Sequence, residues 1–244
     1  MAPTTDALMA GKMLNAGQIC LAPDYVFVPR DRMGEFVESS KRSVAKMYPT
    51  LLDNPDYTSV VNERHFQRIN GYVDEARERG VEVVEINPAN EDFRQQSAHK
   101  IAPTFLIDPP EDSAVMQDEI FGPVMPIKSY DTLDETVDYV NSHDRPLGLY
   151  YFGTDQQETD QVLGNTTSGG VTLNDVVMHV AQEDLPFGGV GPSGMGSYHG
   201  EDGFRTFSHA KAVFKQATFN PAEKLGLRPP YGEKLMGLLK AQMK

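Results

Sequence analysis

Among 244 residues there is one cysteine, Cys20, and no tryptophan. A single thiol excludes an internal disulfide and a cysteine-rich zinc site. No apolar run approaches 18 residues, so no helix is expected to span a membrane. The opening MAPTTDALMAGKM lacks the basic start and continuous apolar core of a secretory leader. Basic residues are scarce, 22 Lys and Arg against 35 Asp and Glu, and the net charge of −13 repels phosphate backbones. No nucleic-acid partner and no membrane partner are therefore expected. The six histidines (His65, His99, His143, His179, His199 and His209) show no H-x-x-x-H or H-x-x-E-H pairing, so no metal site is expected. These absences leave a reduced, cytoplasmic protein as the simplest class.

What is present suits a packed chain. Hydrophobic residues make up 39% and glycine adds 21 positions, inside the usual band for a globular domain. Helix and strand signals alternate for most of the length. Thr5 to Leu14 reads as a helix, and Tyr25 to Val28, closed by Pro29, as a strand. Asp31 and Asn62 are placed to cap the helices that follow them, the second ending at Gly80. Val81–Ile86, Thr104–Ile107, Val124–Ser129, Leu149–Phe152 and Gly170–Leu173 read as strands. Of these, Val124–Ser129 contains Pro126, which cannot donate to a ladder. Asp131 and Asp155 are placed to cap two more helices. The alternation predicts a three-layer αβα open, mostly parallel sheet. Lys211 to Phe219 reads as one late strand, and the tail after Asn220 as a short amphipathic helix. Residues 1–210 are expected to form one domain, with 211–244 as strand and tail.

Four features invite chemistry. A lone cysteine is most often a small buried hydrophobe. Cys20, however, sits in Asn15-Ala16-Gly17-Gln18-Ile19-Cys20, a loop between a helix and a strand, where a thiolate becomes a nucleophile if its pKa is lowered. The residues alone leave both readings open. Glu119, in Asp118-Glu119-Ile120-Phe121-Gly122-Pro123, is either a solvated turn acid or an acceptor for sugar hydroxyls, with Phe121 offering a flat face to a planar ring. Gly189-Val190-Gly191-Pro192-Ser193-Gly194 satisfies G-x-G-x-x-G, but Pro186 precedes it, Pro192 interrupts it and position 209 is His209 where an acid belongs. Ser43-Val44-Ala45-Lys46 matches S-x-x-K on a helix without partner motifs. Both are read as coincidences.

Taken in order, three segments resemble the aldehyde dehydrogenase superfamily. Asn15 to Cys20 is similar to its nucleophile loop, Glu119-Ile120-Phe121-Gly122-Pro123 to its E-x-F-G-P motif, and Leu185 to Gly196 to its C-terminal glycine loop. The forms Cys20-Leu21-Ala22-Pro23-Asp24-Tyr25 and Gly196-Ser197-Tyr198-His199-Gly200 resemble the class 3-like branch that holds the coniferyl aldehyde dehydrogenases. The resemblance implies the catalytic-domain fold and a nicotinamide cofactor, NAD or NADP. It implies that Cys20 adds to an aldehyde carbonyl and passes through a thiohemiacetal and a thioester. Glu119 would hold the nicotinamide ribose, Phe121 would pack beside the nicotinamide, and Asn174 would shape the site.

The family's general-base glutamate, its dinucleotide-binding half and its oxyanion side-chain amide lie upstream of the nucleophile loop, and nothing matching them stands in these 244 residues. The expectation is a catalytic-domain fragment that does not bind the cofactor by itself and has negligible turnover alone. Lys211–Phe219 resembles the family's oligomerisation strand, so a homo-oligomer is expected. Two competing readings stay open: a non-enzymatic assembly domain, and a thiol hydrolase using Cys20 alone.

Overall fold

The computed structural model describes residues 1–94, 96–222 and 224–243. The chain divides into two units, Met1–Phe207 and Ser208–Lys244. Within the first, a four-stranded sheet has the order β1-β4-β3-β2, built from β1 (Val26–Pro29), β2 (Glu82–Glu85), β3 (Thr104–Ile107) and β4 (Val124–Tyr130). β1, β4 and β3 are parallel, and β2 joins the edge antiparallel to β3. An irregular stretch connects β2 to β3, and without a crossover helix the chain can only return antiparallel. A second, parallel pair is formed by β5 (Gly148–Tyr151) and β6 (Gly170–Leu173). The single open sheet expected from the alternation is thus assigned as two, whose β1 and β5 residues line one cleft.

The strand residues alternate between two helical layers, as a pleated ribbon buried on both faces requires. Phe105, Met125 and Ile127 pack with Leu8 and Met9 of α1 (Ala2–Met13) and with Phe36 and Val44 of α2 (Met33–Met47). Leu106 and Val124 face the other way, onto Ile69, Tyr72, Val73 and Ala76 of α3 (Glu63–Glu78) and Val115 of α4 (Ala114–Gln117). The helices α5 (Leu133–Ser142), α6 (Gln156–Asn165) and α7 (Gly200–Thr206) complete this unit. Among the described residues no helix is long and apolar enough to cross a membrane.

Several local expectations hold for physical reasons. Asn62 caps α3 by accepting from the N–H of His65 at 3.0 Å, and Asp155 caps α6 through Gln157 and Glu158. Pro126 sits in a central strand without breaking it. Thr104 and Asp108 of the β3 side donate to Pro123 and Ile127, and the two-residue alternation turns the Pro126 nitrogen toward β1, one residue before that ladder starts at Val26↔Ile127.

Three expectations fail. Asp31 lies inside a short 3-10 turn, Arg30–Arg32, and α2 starts behind it without a side-chain cap. Asp131 does not cap α5: Arg30 takes its carboxylate at 3.0 Å, and the N-cap position falls one residue later, at Thr132. Lys211–Phe219 forms no strand: a strand exists only with a paired neighbour, and no described segment pairs with it. The second unit carries one helix, α8 (Glu233–Gln242), and Val213, Phe214 and Phe219 are exposed.

Candidate active site

Cys20 is reached through a backbone that only a held loop could adopt. After α1, Asn15, Ala16 and Gly17 take left-handed φ values of 50°, 52° and 75° in succession. Each non-glycine residue there costs about 1–2 kcal/mol, so the surroundings must hold the turn. Asn15 Nδ2 donates to the Gln18 carbonyl at 3.2 Å, and Gln18 Nε2 returns a bond to the Asn15 carbonyl at 3.0 Å. The same Gln18 amide donates to the Ser59 carbonyl at 3.0 Å and accepts from the N–H of Val61 at 2.9 Å. Gly17 is pressed against the E-x-F-G-P segment: a Cβ there would stand 2.3 Å from the Gly122 carbonyl oxygen. The two motifs are therefore in backbone contact.

Cys20 is a free, exposed thiol. It occupies the second position of a turn closed by the N–H of Ala22 on the Ile19 carbonyl at 2.9 Å. That geometry leaves the N–H groups of Cys20 and Leu21 outside the turn's own bond, available to an incoming oxygen. The next carbonyl, Leu21, accepts from the Tyr150 hydroxyl of β5 at 2.7 Å. Burial pushes the Tyr150 phenol up to about 12, with the nearby Cys20 charge adding to the rise. Tyr150 therefore stays a neutral donor at ordinary pH and fixes the Cys20 turn to the second sheet.

Glu119 and Phe121 flank Ile120, whose side chain is fully buried in the α3 core. The Ile120 N–H donates to Asp24 Oδ1 at 3.1 Å, and Phe121 takes a left-handed φ of 49°. With the middle residue anchored inward, its two neighbours project outward. Burial, then the charge of Asp24, pushes the Glu119 carboxyl above the usual range, with Arg68 opposing. Lys12, the last basic residue of α1, is fully buried beside Asp24. Its Nζ has no hydrogen-bond partner among the described residues. Burial lowers its ammonium to about 8 against the opposing pull of Asp24. Burial likewise raises Asp24, so desolvation outweighs the attraction on both partners.

Cys20, Glu119 and Phe121 line one open cleft of about 1130 Å³, together with Tyr25, Tyr139 and Tyr150. The loops that bear them precede β1 and β4, which run parallel, so these three residues stand at the N-terminal ends of the strands, and the cleft continues from them along β1 and β5. Asn174 is elsewhere. It follows the C-terminal end of β6 and is outside the cleft lining, where its Oδ1 accepts from the Gly153 N–H at 2.9 Å. The G-x-G-x-x-G stretch closes on itself through a bridge between Gly191 and Gly194, with β6 already ended at Leu173 and α7 starting only at Gly200. It offers no helix N-terminus to a pyrophosphate. Glu119 thus presents a carboxylate and Phe121 a flat ring to the cleft, and the glycine stretch does not suit the phosphates of a dinucleotide.

Sequence reasoning missed Tyr150, Gln18, Lys12 and Asp24. Gln18 and Asp24 stood inside quoted segments, but only the fold shows which groups they meet. Tyr150 and Lys12 lie in segments that the sequence marks only as a strand and a helix, and nothing in it singles out either residue.

A family model described as "Aldehyde dehydrogenase family" matches residues 1–213. A protein of Caulobacter vibrioides named "Probable coniferyl aldehyde dehydrogenase" is 60% identical over 244 residues, covering 100% of this chain and 50% of that protein. A "Coniferyl aldehyde dehydrogenase" of Pseudomonas sp. strain HR199 is 51% identical over 239 residues, covering 98% of this chain and 50% of that protein. The solved structure described as "Substrate bound state of Staphylococcus Aureus AldH" superposes with a TM-score of 0.83 at 35% identity, covering 99% of this chain and 51% of that one. The chain spans about half the length of the relatives it matches.

Proposed function

The chain belongs to the aldehyde dehydrogenase family, and from that premise we propose that it is the catalytic half of an NAD(P)-dependent enzyme that oxidises an aldehyde, of coniferyl or related aromatic type, to its carboxylic acid. The observation that supports this reading is that an exposed Cys20 thiol, Glu119 and Phe121 line the same cleft. The aromatic substrate class draws on the names of the two bacterial relatives. The tyrosines along the cleft wall add a surface suited to planar rings.

In this reading the Cys20 sulfur bonds to the carbonyl carbon, and the thiol proton ends on the carbonyl oxygen of the resulting thiohemiacetal. The Cys20 N–H, outside its turn's hydrogen bond, faces the charge that develops on that oxygen. Glu119 and Phe121 would hold NAD or NADP, which would supply the two-electron acceptor for the oxidation. Cys20 then carries the acyl group as a thioester until water cleaves it, releasing the acid and restoring the thiol. Asn174 serves by tying the β5 and β6 ends together, a supporting role and not contact with substrate.

Residues 1–244 contain no counterpart of the family's general base, so the acyl group should form and then persist. The test is mass spectrometry of the purified chain after exposure to p-nitrophenyl acetate, paired with an NADH assay on an aromatic aldehyde and NAD. An acetyl group on Cys20 with negligible NADH is the expected result. An inert Cys20 would overturn the catalytic reading and favour an assembly domain. NADH production at an enzymatic rate would overturn the expectation of negligible turnover.

A further inference from the structure

Arg68 of α3 is a helix-surface arginine without any motif around it, and it contacts the turn that carries Glu119 and Phe121. One of its Nη atoms donates to the Ile120 carbonyl at 2.7 Å. The other donates to the Tyr72 hydroxyl at 2.6 Å and reaches the Glu119 carbonyl at 3.4 Å. Its Nε faces His65 Nδ1 at 3.3 Å, and its guanidinium lies 5.3 Å from the centre of the Tyr72 ring. Tyr72, itself buried, donates a hydrogen bond from its hydroxyl to Asp118 Oδ2 at 2.9 Å. Each of the three guanidinium nitrogens thus has a partner.

From the opposite side, Asp24 accepts the Ile120 N–H at 3.1 Å. The backbone of one buried residue is therefore gripped at both ends, by an anion at its N–H and a cation at its C=O. Charge-assisted bonds of this kind are about twice as strong as neutral ones. The grip has a job to do, because the next residue, Phe121, holds a left-handed φ of 49° that a phenylalanine does not adopt unaided. Burial of the Ile120 side chain alone would fix the depth of the turn but not its rotation. The two backbone bonds fix the rotation, and with it the directions of the side chains on either side.

We propose that Arg68 is a positioning residue: with Asp24 it clamps the Ile120 backbone and so sets where Glu119 and Phe121 stand relative to Cys20. The significance for catalysis rests on the reading that Glu119 and Phe121 meet the cofactor, whereas the clamp itself is tested without cofactor or aldehyde. The groups that set the charge environment of Glu119 are Asp24, which raises its pKa, and Arg68, which lowers it.

The experiment compares the wild-type chain with Arg68→Lys, Arg68→Met and Tyr72→Phe. It follows amide exchange at Ile120 and Phe121 by NMR, and the titration of Glu119 through its side-chain carboxyl carbon. Arg68→Lys keeps the charge and loses the fork, so exchange should quicken at least about tenfold while the Glu119 midpoint barely moves. Arg68→Met loses both, so exchange quickens and the midpoint rises. Tyr72→Phe frees one side of the guanidinium and should give a smaller change in exchange. Unchanged exchange at both amides in Arg68→Lys would overturn the clamp, as would an unmoved Glu119 midpoint in Arg68→Met. Should the Met variant fail to fold, Arg68→Lys and Tyr72→Phe decide through exchange alone. A confirmed clamp beside an inert Cys20 would mean that the catalytic reading failed and the clamp stood.

Discussion

The nucleophile loop and the segment Lys211–Phe219 both resemble parts of the same family, yet they differ in what holds them. Between Met13 and Asp24 almost every feature is answered by a partner: Gln18 by Ser59 and Val61, Gly17 by Gly122, Leu21 by Tyr150, Asp24 by Ile120. Around Val213 and Phe214 large apolar side chains stand exposed, and the expected strand has no pairing neighbour among the described residues. A motif becomes a structure where the groups that complete it are in the same chain. The contrast is sharpest where a substitution in the loop is predicted to be felt and one in the tail is not.

The largest effect is expected at Gly17. Alanine there must hold a φ of 75° and place its Cβ 2.3 Å from the Gly122 carbonyl oxygen, and the contact is backbone on both sides. A loss of roughly 2–4 kcal/mol is expected from strain and displacement together. Urea unfolding measures it, and alkylation of Cys20 by iodoacetamide should change rate in the surviving folded fraction. A Gly17→Ala chain as stable as wild type would dissolve the contrast between loop and tail.

Lys12 gives the next largest effect and a defined pH window. Its ammonium is lowered from 10.5 to about 8 in the folded chain, so between those values the unfolded state binds more protons than the native one. Stability therefore rises with pH from about 8 to about 10.5, by about 3 kcal/mol at most. Below 8 the protonated, unpartnered Nζ is a standing cost. In Lys12→Met that rise should vanish, and the difference between the two pH–stability curves isolates it from the tyrosines and Cys20. Parallel curves would mean that the buried ammonium is better satisfied than its surroundings indicate.

Tyr150→Phe is smaller. It removes the bond to the Leu21 carbonyl and the one with the Val177 backbone, a cost of about 1–2 kcal/mol. Because the Leu21 bond joins the Cys20 turn to β5, the thiol's alkylation rate should shift along with the melting temperature. A change in stability with no change at Cys20 would confine Tyr150 to packing.

The same principle separates what the sequence revealed from what it withheld. The alternating strands and helices were legible because each buried face leaves a period, and Asn62 and Asp155 were legible as caps because the bond they make is three residues long at most. Asp131 misled because its carboxylate is claimed by Arg30, about one hundred positions away in sequence. The convergence of Cys20, Glu119 and Phe121 was legible through resemblance alone. Topology would have pointed to the C-terminal ends of the parallel strands, where open α/β sheets usually receive ligands, and these three residues stand at the other end. Lys12, Asp24 and Arg68 left no trace, since a charge that acts through burial or a distant carbonyl looks in sequence like any solvated charge.

The smallest effect on stability belongs to the tail, and it completes the contrast. Phe214 is 85% exposed and Val213 80%, so replacing Phe214 by serine removes no packing and should alter unfolding by less than about 0.5 kcal/mol. Association is another matter. Exposed apolar side chains next to backbone without a strand partner form a surface that a second copy can cover. Light scattering of the wild-type chain should therefore show a mass that grows with concentration, and Phe214→Ser should hold the chain closer to the monomer at equal stability. A wild-type chain that stays monomeric at high concentration would remove the case for self-association through this segment. A Phe214→Ser chain that unfolds more easily would show the tail to be held after all, and the contrast with the nucleophile loop would narrow to one of degree.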